Sequence, residues 1–415
     1  MTVTAWTTSP EHRAWLRTER LRLLDFGRHA ALPGGGAGWL DVEGRPDLDR
    51  GIETWITART VHTYSLGALL GVPGARDVAR GALAGLFGPQ APLRDREHGG
   101  WFARVARDGT VQDGDKQCYQ HAFVVLAAST AVAAGLDGAT ELFDEATTTF
   151  LERFWDDAAG MCVDAYDRTF AELDPYRGVN GNMHAVEAML AAGDLTGDVA
   201  WRDRALRVAR RVVTEARAHD WRIPEHYDAT WTADLDLNRQ RPDDPFKPYG
   251  ATVGHGFEWS RLLVHLEAST GAEDLLTAAR ALFARAAADG WAVDGREGFV
   301  YTTDWTGAPV VRDRMHWVPA EATAAAAVLH ARTGDEDYAR SYATWWDHVA
   351  TAFVDTERGS WHHQLDATNT PTDTVWPGKP DLYHAVQATL LPVAPLSPGL
   401  AVAVRDGLVP TRTDA

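Results

Sequence analysis

Apolar residues along this chain fall into blocks of two kinds, and the two kinds alternate. One kind is apolar almost throughout, as in AVEAMLAAG after His184 and EATAAAAVL from Glu321. The other places apolar positions three or four apart with charges between them, as in WRDRALRVARRVVTEARA (201–218) and EDLLTAARALFARAAADG (273–290). That spacing predicts a helix with one buried stripe, whereas a helix apolar all round predicts burial on every side. Short Gly- and aromatic-rich stretches separate the pairs, GGWFARVARDG, GFVYTTDWTG and GSWHHQLD among them. They read as hairpins or extended loops.

The unit loop, helix, helix recurs. NMHAVEAMLA from Asn182 is nearly repeated as LYHAVQATLL from Leu382, and matching runs open near Arg59, His121, Glu258 and Glu321. From Arg59 to His384 the anchors step by 62, 63, 74, 63 and 63 residues, the long step absorbing the polar insert TADLDLNRQRPDDPFKP. A fixed period of this kind marks a repeat architecture. With the apolar helices inside and the striped ones outside, the expected fold is all-α: an (α/α)6 barrel, a toroid of six helix pairs with short β-hairpin loops at the active-site mouth. Residues 1–400 are expected to form this single domain and 401–415 a C-terminal tail. An open solenoid is the alternative.

In a closed ring the six inner-helix starts share one mouth. Arg59, His121, His184, Glu258, Glu321 and His384 are then expected to converge, with Trp55, Gln117, Asn180, His255, Trp317 and Asp381 one turn earlier on the same faces. Carboxylates at helix starts satisfy the helix dipole without any site, but the dipole disfavours Arg59 there and does not explain three matched histidines. Buried charge without partners is costly, so the set implies a polar ligand or a water-filled cleft. HGFE and DLYH place a histidine and a carboxylate three residues apart, a spacing seen in metal sites. No Cys ligand or HExxH accompanies them, and no metal is expected.

Trp55 and Trp317 offer flat apolar faces beside donors and acceptors, which suits a carbohydrate. No Walker or dinucleotide phosphate cradle occurs, so no nucleotide cofactor is expected. Arg239, Arg241 and Lys247 in the insert read as a solvated loop. Charge narrows the partners further: 40 basic against 58 acidic residues give −18, which argues against nucleic acid and anionic membrane surfaces. Two cysteines exclude a disulfide framework, no secretory leader is visible, and no stretch is long enough for a membrane span, so a cytoplasmic protein is expected. Seventeen tryptophans outnumber both the tyrosines and the phenylalanines, which hints at a lined groove or cavity, though core packing alone also explains it. Oligomeric state is not legible.

WITAR (Trp55, Arg59), NGNMHAVEA (Asn180, His184), GHGFEW (His255, Glu258), HWVPAEA (Trp317, Glu321) and KPDLYHAVQA (Asp381, His384) together resemble the N-acylglucosamine 2-epimerase superfamily, and within it the mannose isomerase and sulfoquinovose isomerase branch. The resemblance implies His255 and His384 as the catalytic pair with Glu258 assisting. It implies Arg59, His184, Trp317 and Glu321 as sugar contacts, which the geometry extends to Trp55, Asn180, Asp381 and His121. The sulfosugar pattern has a glutamine where this chain has Pro380 beside Asp381, and a carboxylate there suits a neutral hexose better than a sulfonate. The implied reaction is cofactor-independent aldose–ketose isomerisation of mannose and fructose, or of lyxose and xylulose, through a cis-enediol. His384 would take the C2 proton, and His255 with Glu258 would serve the oxygens. Mannose–glucose 2-epimerisation is the nearest rival. Sulfoquinovose isomerisation, a glycoside hydrolase using Glu258, Glu321 and Asp381, and a non-catalytic sugar-binding protein stand behind it.

Overall fold

The computed structural model describes residues 9–410. Six inner helices form the hub: α2 (Thr54–Leu69), α4 (Cys118–Ala133), α6 (Val179–Thr196), α8 (Val253–Thr270), α10 (Trp317–Thr333) and α12 (Tyr383–Leu390). Their residues are buried on nearly every side, as the unbroken apolar runs require. Five outer helices follow the first five hub helices: α3 (Ala75–Leu83), α5 (Ala139–Arg153), α7 (Val199–Ala218), α9 (Asp274–Gly290) and α11 (Glu336–His348). Each buries one stripe; in α7 it is Trp201, Ala205, Val208, Ala209, Val212, Val213 and Ala216. Three hub helices, α6, α8 and α10, stop at Gly197, Gly271 and Gly334 with φ of 75°, 75° and 69°. That left-handed turn is nearly free only for glycine and lets the chain reverse at once into the outer helix.

The sixth outer helix does not follow α12, as the repeat order implies. Its place is taken by α1 (Pro10–Phe26), capped by Ser9, whose hydroxyl accepts from the His12 N–H at 3.3 Å. Arg20 Nη1 donates to the Thr389 carbonyl at 3.2 Å, the Tyr64 hydroxyl donates to the Leu24 carbonyl at 2.7 Å, and His12 meets Tyr342 and Trp346 of α11 edge-on. The first helix therefore seals the ring between α11 and α2.

The mouth loops do more than form local hairpins. The strand entering each of the first five hub helices pairs with a strand of the next loop. Ile52–Glu53 pairs with Arg104–Val105, Lys116–Gln117 with Ala165–Tyr166, and Arg177–Gly178 with His226–Tyr227. Ala251–Thr252 pairs with Thr302–Thr303, and Arg314–Met315 with Gln364–Leu365. All five ladders are antiparallel and stitch neighbouring units around the rim. Asp41 in the first loop accepts the Arg45 N–H at 3.0 Å, and four later loop tips repeat the device. The carboxylates of Asp167, Asp228, Asp304 and Asp366 each accept the backbone N–H four residues on, at 2.8, 3.0, 3.0 and 3.0 Å.

The opposite end is closed by the chain after α12. Helix α13 (Leu400–Arg405) packs under α2, α4 and α6, and Val402, Ala403, Val404 and Val409 are buried. Gly399 N–H donates to Asp194 Oδ2 at 2.7 Å and His265 Nδ1 to the Leu396 carbonyl at 2.8 Å. The boundary expected at residue 400 thus falls inside packed chain, because the hub's lower end needs an apolar plug; residues 411–415 of the expected tail lie outside the described residues. No described helix is long and apolar enough to cross a membrane.

Candidate active site

The hub helices open into one pocket at the stitched mouth. Trp55 and Arg59 come from α2, Tyr119 from α4, Asn180 and His184 from α6, His255 and Glu258 from α8, Trp317 from α10, and Asp381 and His384 from the start of α12. Loops complete the wall with Phe246, Tyr301, His316, His363 and Trp376.

Two histidines are braced by carboxylates in the same way. His384 Nδ1 lies 2.9 Å from Glu321 Oε1, and His255 Nδ1 lies 2.8 Å from Glu225 Oε1. A carboxylate only accepts, so in each neutral ring Nδ1 carries the proton and Nε2 keeps a free lone pair. The Trp317 ring centroid is 5.2 Å from that of His255 and 5.8 Å from that of His384, which keeps the two imidazoles within about 11 Å of each other. Both line the same pocket. Gly254 makes this possible: a Cβ there would collide with the Trp317 indole.

Beneath the pocket lies a buried charged floor. Arg261 Nε donates to Glu321 Oε2 at 2.8 Å, and Nη2 stands 3.6 Å from Glu187 Oε1 and 3.7 Å from Glu258 Oε1. Burial opposes the charge of Arg261, but the three carboxylates hold its pKa above the ordinary value. Burial, with Glu321 beside it, pushes the carboxyl of Glu258 well above the usual range, and Arg261 only partly offsets this. Glu258 therefore holds its proton more tightly than an ordinary carboxyl, at the wall of the pocket. Two sets, His184–Glu187–Glu258 and Glu258–Glu321–His384, bring metal-ligand atoms within 4.8 Å of one another. The guanidinium of Arg261 already supplies the positive charge both sets share, so these residues fit an arginine rather than a divalent ion.

On the far wall Arg59 Nη1 donates to Asp381 Oδ2 at 3.2 Å and Nη2 to the Tyr119 hydroxyl at 3.0 Å. Burial works against ionising Asp381, yet Arg59, His384 and His316 hold its pKa below the ordinary value. It is an anion at neutral pH. Burial lowers the pKa of His184 to about 4, leaving a neutral ring packed against Tyr119 and Phe123.

Nine of the eleven expected residues line the pocket, and two of the expected parts change. Glu321 is not on the wall; it stands behind His384, committed to that ring and to Arg261. Glu258 does not touch His255 despite the i, i+3 spacing; Glu225 does. His121 is the eleventh and lies elsewhere. Its Nδ1 donates to the Gln117 carbonyl at 2.8 Å, its Nε2 accepts the Trp101 N–H at 3.2 Å, and its ring sits among Trp101, Phe154 and Phe170 between α4 and its outer partner. Burial takes its pKa to about 3. It is a satisfied core histidine, and Tyr119 is the α4 residue that reaches the pocket. Nor is the insert merely a solvated loop: its Phe246 packs on Trp55, Tyr119 and Trp376 at centroid distances of 6.3, 6.3 and 5.5 Å and covers part of the mouth. His226 ties the end of the insert down, its Nε2 donating to the Pro248 carbonyl at 2.8 Å. Glu225, Arg261, His316 and His363 were missed. For Arg261 the one available signal was its place three residues after Glu258, on the same face of the helix.

A ring of six helix pairs whose hub ends hold two carboxylate-braced imidazoles around an aromatic cup defines an (α/α)6-barrel enzyme of acid–base type. The chain belongs to the N-acylglucosamine 2-epimerase (GlcNAc 2-epimerase) family, whose profile matches residues 35–388. It is 52% identical over 406 residues to a D-mannose isomerase from Thermobifida fusca, covering 97% of this chain and 99% of that one. A D-mannose isomerase from Pseudomonas cannabina pv. alisalensis is 45% identical over 410 residues, covering 97% and 98%. The fold is similar to a crystal structure of D-mannose isomerase, with a TM-score of 0.85 at 26% identity over 92% of this chain and 97% of that one.

Proposed function

We propose that this protein is an aldose–ketose isomerase that interconverts D-mannose and D-fructose. The observation that carries the reading is the pair of dyads, His384–Glu321 and His255–Glu225, opening on one pocket on either side of Trp317. Near full-length similarity to two D-mannose isomerases supports it.

In the forward direction His384 Nε2 takes the C2 proton of the open-chain aldose while Glu321 stabilises the imidazolium that forms. Electron density moves onto O1, which receives a proton from the acid side of the pocket, from the carboxyl of Glu258 or from His255 in its imidazolium form. The product of this step is a cis-enediol. His384 then returns its proton to C1, and the proton on O2 passes back to the acid side as the C2 carbonyl forms. Imidazole suits such two-way transfer near neutral pH, and mounting both rings on packed helices provides the orientation. The ionised Asp381 favours a neutral hexose over a sulfonated one.

A glycoside hydrolase needs two carboxyl groups flanking the sugar, and Glu321 is sequestered behind His384. A 2-epimerase would return the proton to C2 from the opposite face. Incubating the protein with D-mannose in deuterated water and following the sugars by NMR separates the readings. Fructose is expected, with deuterium at C1 to the extent that the proton on His384 exchanges with solvent before its return; glucose as the main product would make it an epimerase, and no change in the sugar would reduce it to a binding protein.

A further inference from the structure

His316 and His363 both line the pocket, and nothing above uses them. Their rings stack at 3.7 Å between centroids with planes 21° apart. The His363 carbonyl accepts both the His316 backbone N–H at 3.1 Å and His316 Nδ1–H at 3.3 Å. Since a carbonyl only accepts, the proton of neutral His316 is fixed on Nδ1 and Nε2 is a bare acceptor. That Nε2 is buried and has no partner among the described residues. An acceptor left unsatisfied in a buried site is costly, and a buried polar atom of this kind is normally paired in the working state. Sugar hydroxyls are donors of the right kind. The His316 ring stands edge-on to His384, 6.4 Å between centroids, so a sugar whose C2 meets His384 is within reach.

We propose that His316 is a specificity-determining residue whose Nε2 accepts a hydrogen bond from one hydroxyl of the sugar at C3, C4 or C6, with His363 as the residue that positions its ring. The inference rests on the isomerase reading above. His316 acts as an acceptor and not as a second base: burial, with His384 nearby, lowers its pKa to about 3, and burial beside His316 keeps His363 well below the ordinary value. Both rings stay neutral through the working range, where His384 must gain and lose a proton.

The test measures kcat/KM on D-mannose and on 3-, 4- and 6-deoxy-D-mannose for the wild type, His316→Phe, His316→Gln and His363→Ala. The wild type is expected to lose roughly 10- to 100-fold on one of the three deoxy sugars. His316→Phe, which keeps the stack, is expected to lose a similar factor on mannose and nothing further on that deoxy sugar. His316→Gln, which returns an acceptor near the place of Nε2, is expected to restore the discrimination, and His363→Ala to raise KM with kcat maintained. Equal penalties in wild type and His316→Phe, with mannose still converted to fructose, overturn this inference alone. A wild type that makes no fructose from mannose overturns the isomerase reading and this inference with it.

Discussion

Glu321 reaches His384 and Arg261 at once, with Oε1 2.9 Å from His384 Nδ1 and Oε2 2.8 Å from Arg261 Nε. One carboxylate therefore orients the proton-transferring imidazole and ties it to the charged floor. Burial lowers the pKa of His384, while Glu321 pulls it back up. The base form exists above that pKa, so the acid limb of kcat/KM is expected below the ordinary histidine value of about 6.5. In Glu321→Gln the upward pull is gone: the limb moves to lower pH, and kcat falls roughly 100-fold or more as the imidazolium loses its stabilising charge. His384→Ala is expected to abolish turnover. A pH–rate profile unmoved by Glu321→Gln contradicts this coupling.

Glu225 is expected to matter as His255 does. Removing it in Glu225→Ala frees the His255 ring to rotate, and kcat on mannose should drop by roughly 10- to 100-fold with a smaller change in KM. Glu258→Gln keeps a neutral hydrogen-bond donor in the pocket but cannot release a proton. Comparing the two by steady-state kinetics shows which group supplies protons to the sugar oxygens; full activity in Glu225→Ala would remove that dyad from the mechanism.

Gly254→Ala tests the geometry rather than the chemistry. The added methyl must displace the Trp317 indole that separates His255 from His384. Alanine is otherwise the better helix former, so circular dichroism should stay native while kcat/KM falls about 100-fold through misplacement of the reacting groups. Native kinetics in Gly254→Ala would show that Trp317 does not set their spacing.

How much of this was legible beforehand depended on helix register. The period of about 63 residues singled out Arg59, His184 and Glu258, each of which is the sixth residue of its hub helix and lines the pocket. His121 is only the fourth residue of α4, so it is turned by about 200° from its supposed counterparts. The sixth residue of α4 is Phe123, whose ring meets Arg59 and His184. An apolar residue gives no chemical signal, and the histidine two places earlier attracted the assignment. Glu225 and His363 sit in loops whose paths depend on the rim ladders, and a repeat seen in helices does not reveal them. The ring itself was readable because helices apolar on all sides have few other ways to be buried.

Acid should weaken this protein early. Burial lowers the pKa of His62 to about 4, His121 to about 3, His184 to about 4 and His316 to about 3, against about 6.5 in the unfolded chain. The unfolded state thus binds more protons between these values. Their contribution is fully present above about pH 6.5 and is lost as pH falls toward the folded values. Tm measured from pH 7 to pH 4 is expected to decline steadily, before most carboxylates titrate; a flat Tm down to pH 5 contradicts neutral burial of these rings.

Because α1 fills the outer slot beside α12, a ribosome must deliver nearly the whole polypeptide before His384 has a finished wall behind it. Of the described helices, the first synthesised waits longest for its neighbour. A circular permutant that joins the two ends of this chain and opens it at an exposed turn, such as the one at Asp198 between α6 and α7, should assemble the same wheel while placing α1 after α12 and α13 in the chain.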